Sequence, residues 1–218
     1  MIAFSYLLLA AAASFFCFWL WPRRQRCRPG ARGAITAALV GLVLVILSSG
    51  LHVLGLAGIS NDGIEHSQRI FGLSAQVMTL PLLGLVCFYL AHNLQWSPPT
   101  WAKVILGLMA FFELSRYLEQ QIAYQWLVNL TGIAALLAAC VISWPRQRLI
   151  SLLGAVTVVS VLLPAWFANQ VPLSALMDAS AHAGWLLPGL VALCLMVGLL
   201  AEQAHNREST LAADNREE

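Results

Sequence analysis

The residues best suited to chemistry are a histidine within an apolar run, "SSGLHVLG", and a carboxylate and imidazole four apart in "MDASAHAGWLLPGL". Asp178 and His182 stand at i and i+4, a spacing that stacks two side chains on one face of a helix. His52 closes an apolar stretch that has no other ionisable group. Two imidazoles and a carboxylate form a zinc ligand set with the fourth position left for water, whose pKa the metal lowers to about 7. Zn²⁺ with one carboxylate and one hydroxide sums to zero charge, which suits a low-dielectric site. Ser48, one turn before His52, is placed to donate to an oxyanion, and Asp62, in the loop beyond, to carry a proton. The sequence leaves three other readings open. A membrane histidine is often a hydrogen-bonded packing residue. His52 and His182 are also of the type that ligates haem from two helices. A small transporter or sensor would use the same polar groups without any reaction.

Hydrophobic residues make up 60% of the 218 and charged residues only 10%, with mean hydropathy +0.76, a balance far from that of a soluble domain. About 20 apolar residues cross the hydrocarbon, and such runs fall at 2–21, 34–58, 70–92, 101–118, 122–144, 149–168 and 180–202. The expected fold is all-α, a bundle of seven transmembrane helices over 1–203, followed by a polar, disordered tail over 204–218. No length remains for a soluble catalytic or nucleic-acid-binding domain, so function lies among the helices and the partners are membrane lipids. The five cysteines have no CxxC spacing and read as packing residues.

Arg23, Arg24, Arg26, Arg28 and Arg32 crowd the first loop, and Lys103, Arg146, Arg148, Arg207 and Arg216 fall on the same side if seven helices alternate. The positive-inside rule then places the amino terminus outside and the carboxyl terminus in the cytoplasm. All eight tryptophans lie near expected helix ends, where amphipathic rings prefer the headgroup boundary. An Arg- and Ala-rich, Lys-poor composition points to a bacterial inner membrane.

With depth assigned, the polar groups collect in the outer half: Ser48, Ser49, His52, Gln76, Glu113, Arg116, Asn129, Asp178 and His182. Such groups are costly in hydrocarbon and should face one another or a water-filled space, so an outward-facing polar cavity is expected, lined by Ser49, Gln76, Glu113, Arg116 and Asn129. Structural roles are available as well: Glu113 and Arg116 at i and i+3 can form an ion pair, and Gln76 and Asn129 can bond between helices.

Ser48-x-x-x-His52 on the second helix, an aspartate about ten residues on, and a paired ligand motif at the start of the seventh together resemble the alkaline ceramidase and adiponectin-receptor superfamily of seven-helix membrane hydrolases. In that superfamily one histidine of the second helix and an HxxxH pair of the seventh hold a zinc that hydrolyses a lipid amide. The resemblance implies zinc on His52, Asp178 and His182, with Ser48 and Asp62 assisting, and a lipid-like amide or ester as substrate. Asp178 stands where the family has its first paired histidine. A rhodopsin-like pigment is disfavoured, since the one lysine, Lys103, is not on the seventh helix.

Overall fold

Proline, asparagine and arginine punctuate the apolar runs, and the helices begin and end at them. The computed structural model describes residues 2–59, 61–94, 96–145, 147–180 and 182–214. Its elements are α1 (Ile2–Arg26), α2 (Pro29–Leu56), α3 (Asp62–His92), α4 (Pro98–Tyr117), α5 (Gln121–Ser143), α6 (Arg148–Ala168), a single 3-10 turn (Ser174–Leu176) and α7 (Ala183–Asp214). No strand occurs among the described residues. Six helices are long and apolar enough to cross a membrane; the exception is α4, which carries Lys103, Glu113 and Arg116 within its 20 residues.

Several boundaries differ from expectation, and those of α3 and α7 bear on the candidate site. α3 starts at Asp62, because the Asn61 side chain accepts a hydrogen bond from the Ile64 N–H and Asp62 and Glu65 supply the negative charge a first turn favours. Asp62 is therefore in a helix rather than in a loop. α7 starts only at Ala183 and then continues to Asp214, so the described part of the expected tail is helical. Arg146 and Arg216, used above to orient the chain, lie outside the described residues.

α1, α2, α3, α5, α6 and α7 close into a ring through successive contacts, with α3 also reaching α7 across it. α4 packs against α2, α3 and α5, outside the ring. Paired contacts give the directions: Gly41 meets Thr79 while His52 meets Gln68, so α2 and α3 are antiparallel, whereas Ser5 meets Gly184 and Trp19 meets Gly198, so α1 and α7 are parallel. One end of the bundle thus gathers the start of α1, the end of α2 and the loop into α7 (the His52 end). The arginine-rich turn between α1 and α2 lies at the other, where Arg28 donates to Asn93 Oδ1 at 2.6 Å and Arg32 to the Cys27 carbonyl at 2.7 Å.

Small residues set the closest approaches, as expected where lipid supplies no hydrophobic drive between helices. A Cβ added to Gly132 of α5 would sit 2.8 Å from Leu80 C and Pro81 Cα of α3. Several buried hydroxyls bond to backbone carbonyls: Ser151 donates to Cys140 at 2.7 Å and Thr157 to Gly189 at 3.3 Å. None of the five cysteines is in a disulfide. Phe18, Trp166 and Phe167 are largely exposed, as side chains facing acyl tails would be.

Candidate functional site

The connection between α6 and α7 does not pass over the bundle but dips into it. After Asn169 closes α6 in a left-handed conformation, Leu173 adopts φ +63°, a region a leucine rarely visits, and the 3-10 turn carries Ala175 and Leu176 inward. Leu173, Ala175 and Leu176 are all buried. Gly72 makes room for them: a Cβ there would lie 2.7 Å from the Leu176 carbonyl oxygen and 2.9 Å from Met177 Cα.

A group of polar side chains holds the inserted turn by its backbone. The Leu176 carbonyl accepts from Ser48 Oγ at 2.5 Å and lies 3.1 Å from His52 Nε2. Ser48 and His52, at i and i+4 on α2, therefore share one acceptor. The Tyr6 hydroxyl donates to the Ala175 carbonyl at 2.6 Å and accepts from the Ser180 N–H at 3.1 Å. Its ring stacks on His52 with centroids 4.5 Å apart and planes at 29°. The second imidazole nitrogen, Nδ1, is 2.8 Å from the Gln68 side-chain nitrogen. The neutral imidazole protonated on Nε2 satisfies every one of these contacts, donating to Leu176 and accepting from the Gln68 amide.

Above the turn lies an open polar recess of ≈ 400 Å³, lined by Glu65, Gln68, Arg69, Met177 and Asp178. Beneath it the centre of the bundle is apolar: a cavity of ≈ 30 Å³ bounded by Leu9, Val45, Leu80, Leu176, Leu186 and their neighbours. Gln68 connects the two levels, since it lines the recess and bonds to the buried histidine.

The expected site residues are divided among separate places. His52 and Ser48 are buried, at 1% and 0% exposure, and engaged with Leu176. Asp178 is exposed on the recess. His182 lines a different, small cleft against Pro164, Ala168 and Gln170. Asp178 and His182 do not stack on a helix, because α7 begins only at Ala183 and both precede it; in the turn ahead of the helix Ser180 Oγ accepts from the His182 N–H at 3.1 Å. α2 and α7 touch only slightly, with α1 and α3 packed between them. Asp62 is exposed at the start of α3. Among the described residues no three His, Cys, Asp or Glu side chains are grouped as metal ligands would be. Both His52 nitrogens already have protein partners, so this donor set does not fit zinc, and it does not fit a bis-histidine haem either.

The expected polar cavity is likewise divided. Ser49, Gln76 and Asn129 are buried, at 0%, 2% and 0% exposure. Asn129 donates to the Gln125 carbonyl at 2.8 Å, but its own oxygen, Gln76 Oε1 and Ser49 Oγ have no partner among the described residues. Glu113 and Arg116 form an ion pair at 3.2 Å with both side chains mostly exposed. They line a groove between α3 and α4 rather than the centre. The leucines of the inserted turn occupy the space that a continuous polar cavity would need.

Tyr6 and Gln68 were not among the residues singled out from sequence, although both belong to the cluster. Ser5 and Tyr6 interrupt the apolar start of α1, and "HSQR" lies just ahead of the apolar run of α3; these are the available signals. Compared with protein-family models, curated proteins and solved structures, the chain matches none.

Proposed function

We propose that the chain is a seven-span membrane protein that binds a small polar ligand in the recess at its His52 end and senses it through the inserted turn. A seventh span is supported by the path of the chain. α4 returns from the end of α3 to the start of α5, which lies at the His52 end because α5 and α6 form a hairpin closed at the opposite one. Its 20 residues reach about 30 Å at 1.5 Å per residue, the hydrocarbon thickness. The arginine-rich turn supports a cytoplasmic position for the end opposite His52, hence the amino terminus outside. The Lys-poor, Arg-rich composition supports a bacterial inner membrane.

The observation that carries the sensing role is Gln68. A ligand that draws the Gln68 amide toward itself removes a hydrogen bond from His52, whose other nitrogen holds Leu176. Binding and the position of the turn are then coupled through one side chain and one ring. The recess presents Glu65 and Asp178 alongside Arg69, so it suits a small zwitterion with an ammonium and a carboxylate. No zinc-bound water enters this reading.

The test is thermal unfolding of the detergent-purified protein during titration with free amino acids and with their amidated and N-acetylated analogues. A ligand at about a hundred times its Kd stabilises by about 2.7 kcal/mol. The shift should disappear in Arg69→Gln and Asp178→Asn and be absent for the blocked analogues. A shift that survives both substitutions, or no shift for any zwitterion, would refute the reading.

A further inference from the structure

A groove between α3 and α4 combines an apolar floor with an ion pair. Its floor is apolar, with Leu73, Val77 and Met78 from α3 and Leu108, Met109 and Phe112 from α4, and it encloses ≈ 170 Å³. At one end of it stands the Glu113–Arg116 pair, 3.2 Å apart, in the last turns of α4. Tyr117, the next residue, is 85% exposed, and with the end of the helix it marks the headgroup level. The groove exists because α4 sits outside the ring, and it stays open on its outer side, where Ile70 at its edge and Met109 of its floor are half exposed. The two methionines give the floor an adaptable lining.

We propose that this groove binds one phospholipid whose headgroup carries both a phosphate diester and a primary ammonium, with an acyl chain lying along the apolar floor. Charge complementarity selects the headgroup. A guanidinium presents forked N–H donors to a phosphate, and the carboxylate beside it accepts from an ammonium. A headgroup dipole laid against the pair therefore meets opposite charges at both ends. A choline headgroup has the same charges but no N–H to donate to Glu113. A glycerol headgroup leaves Glu113 without a cation and brings its own anion close. An exposed ion pair on one helix is worth little by itself, so the headgroup displaces little when it binds. The site is separate from the recess and stands whatever that recess takes.

The experiment is native mass spectrometry of the full-length protein, delipidated in detergent and offered equimolar phosphatidylethanolamine, phosphatidylcholine and phosphatidylglycerol with identical acyl chains. One ethanolamine lipid should be retained about tenfold over either competitor, the discrimination that one charge-assisted hydrogen bond supplies. Glu113→Gln and Arg116→Gln, both at exposed positions, should each reduce retention to the level of the competitors. Met109→Trp, which fills the floor, should do the same with the unfolding temperature unchanged. Equal retention of the three lipids, preference for the glycerol lipid, or ethanolamine-lipid retention that persists in either charge variant would overturn the proposal. So would persistence in a folded Met109→Trp protein; if that variant fails to fold, the two charge variants decide.

Discussion

Removing both donors to the Leu176 carbonyl should cost more than the sum of removing each. Ser48 and His52 converge on that one buried oxygen, which has two lone pairs, so Ser48→Ala alone leaves it satisfied by the imidazole. His52→Phe alone leaves it satisfied by the hydroxyl and preserves a ring to stack on Tyr6. Each single change should lose a net hydrogen bond of about 0.5–1.5 kcal/mol; the double change also strands a buried acceptor, adding about 1–3 kcal/mol. The inserted turn can be read directly by adding Ala175→Cys, since residue 175 is 7% exposed, and following its labelling with a membrane-impermeant maleimide. The protein without the added cysteine gives the background. Labelling proceeds through the open population, so each single change should raise the rate by about two- to tenfold. The double change should exceed the product of the two by about 5- to 150-fold. A double-mutant rate equal to that product would refute the shared-acceptor reasoning, and unchanged rates in the single mutants would show that these side chains do not hold the turn.

The α3–α5 seam gives a stability prediction. Gly132→Ala should cost about 1–3 kcal/mol through overpacking, because its new carbon meets the α3 backbone, while Gly107→Ala, with nothing within 4 Å, should be neutral or gain up to about 1 kcal/mol; equal melting temperatures in detergent would refute the contrast. Chelator should leave the unfolding temperature unchanged and elemental analysis should find zinc well below one per chain, whereas near-stoichiometric zinc would restore the hydrolase expectation. Reporters fused after Asn93 and after Glu119 should fall on the cytoplasmic and outer sides respectively, and the opposite pattern would reverse the proposed orientation.

The helices were legible because long apolar runs bounded by arginine, tryptophan and proline have few alternatives in lipid. The candidate site was legible only in part. The i, i+4 spacing puts Ser48 and His52 on one face of α2, but the backbone carbonyl they share has no sequence signature. The i, i+4 spacing of Asp178 and His182 has meaning only within a helix, and α7 begins after both. Gln68 lies ahead of the apolar run that begins at residue 70, in the two helical turns that the Asn61 cap adds to α3. Depth alone grouped Gln76, Asn129, Glu113 and Arg116, and depth does not tell the interior of a ring from its rim.

Placing α4 outside a closed ring has a consequence for biogenesis. When α4 leaves the ribosome, α5 has not yet been made, so the berth that α4 later shares with α3 and α5 is incomplete. With three charged residues in 20 it is also the one helix of the seven that lacks the apolar stretch of a membrane span. If α4 spans as proposed, the nascent protein has to hold this segment at the translocon until its successor arrives, which would make the order of synthesis part of how this bundle is assembled.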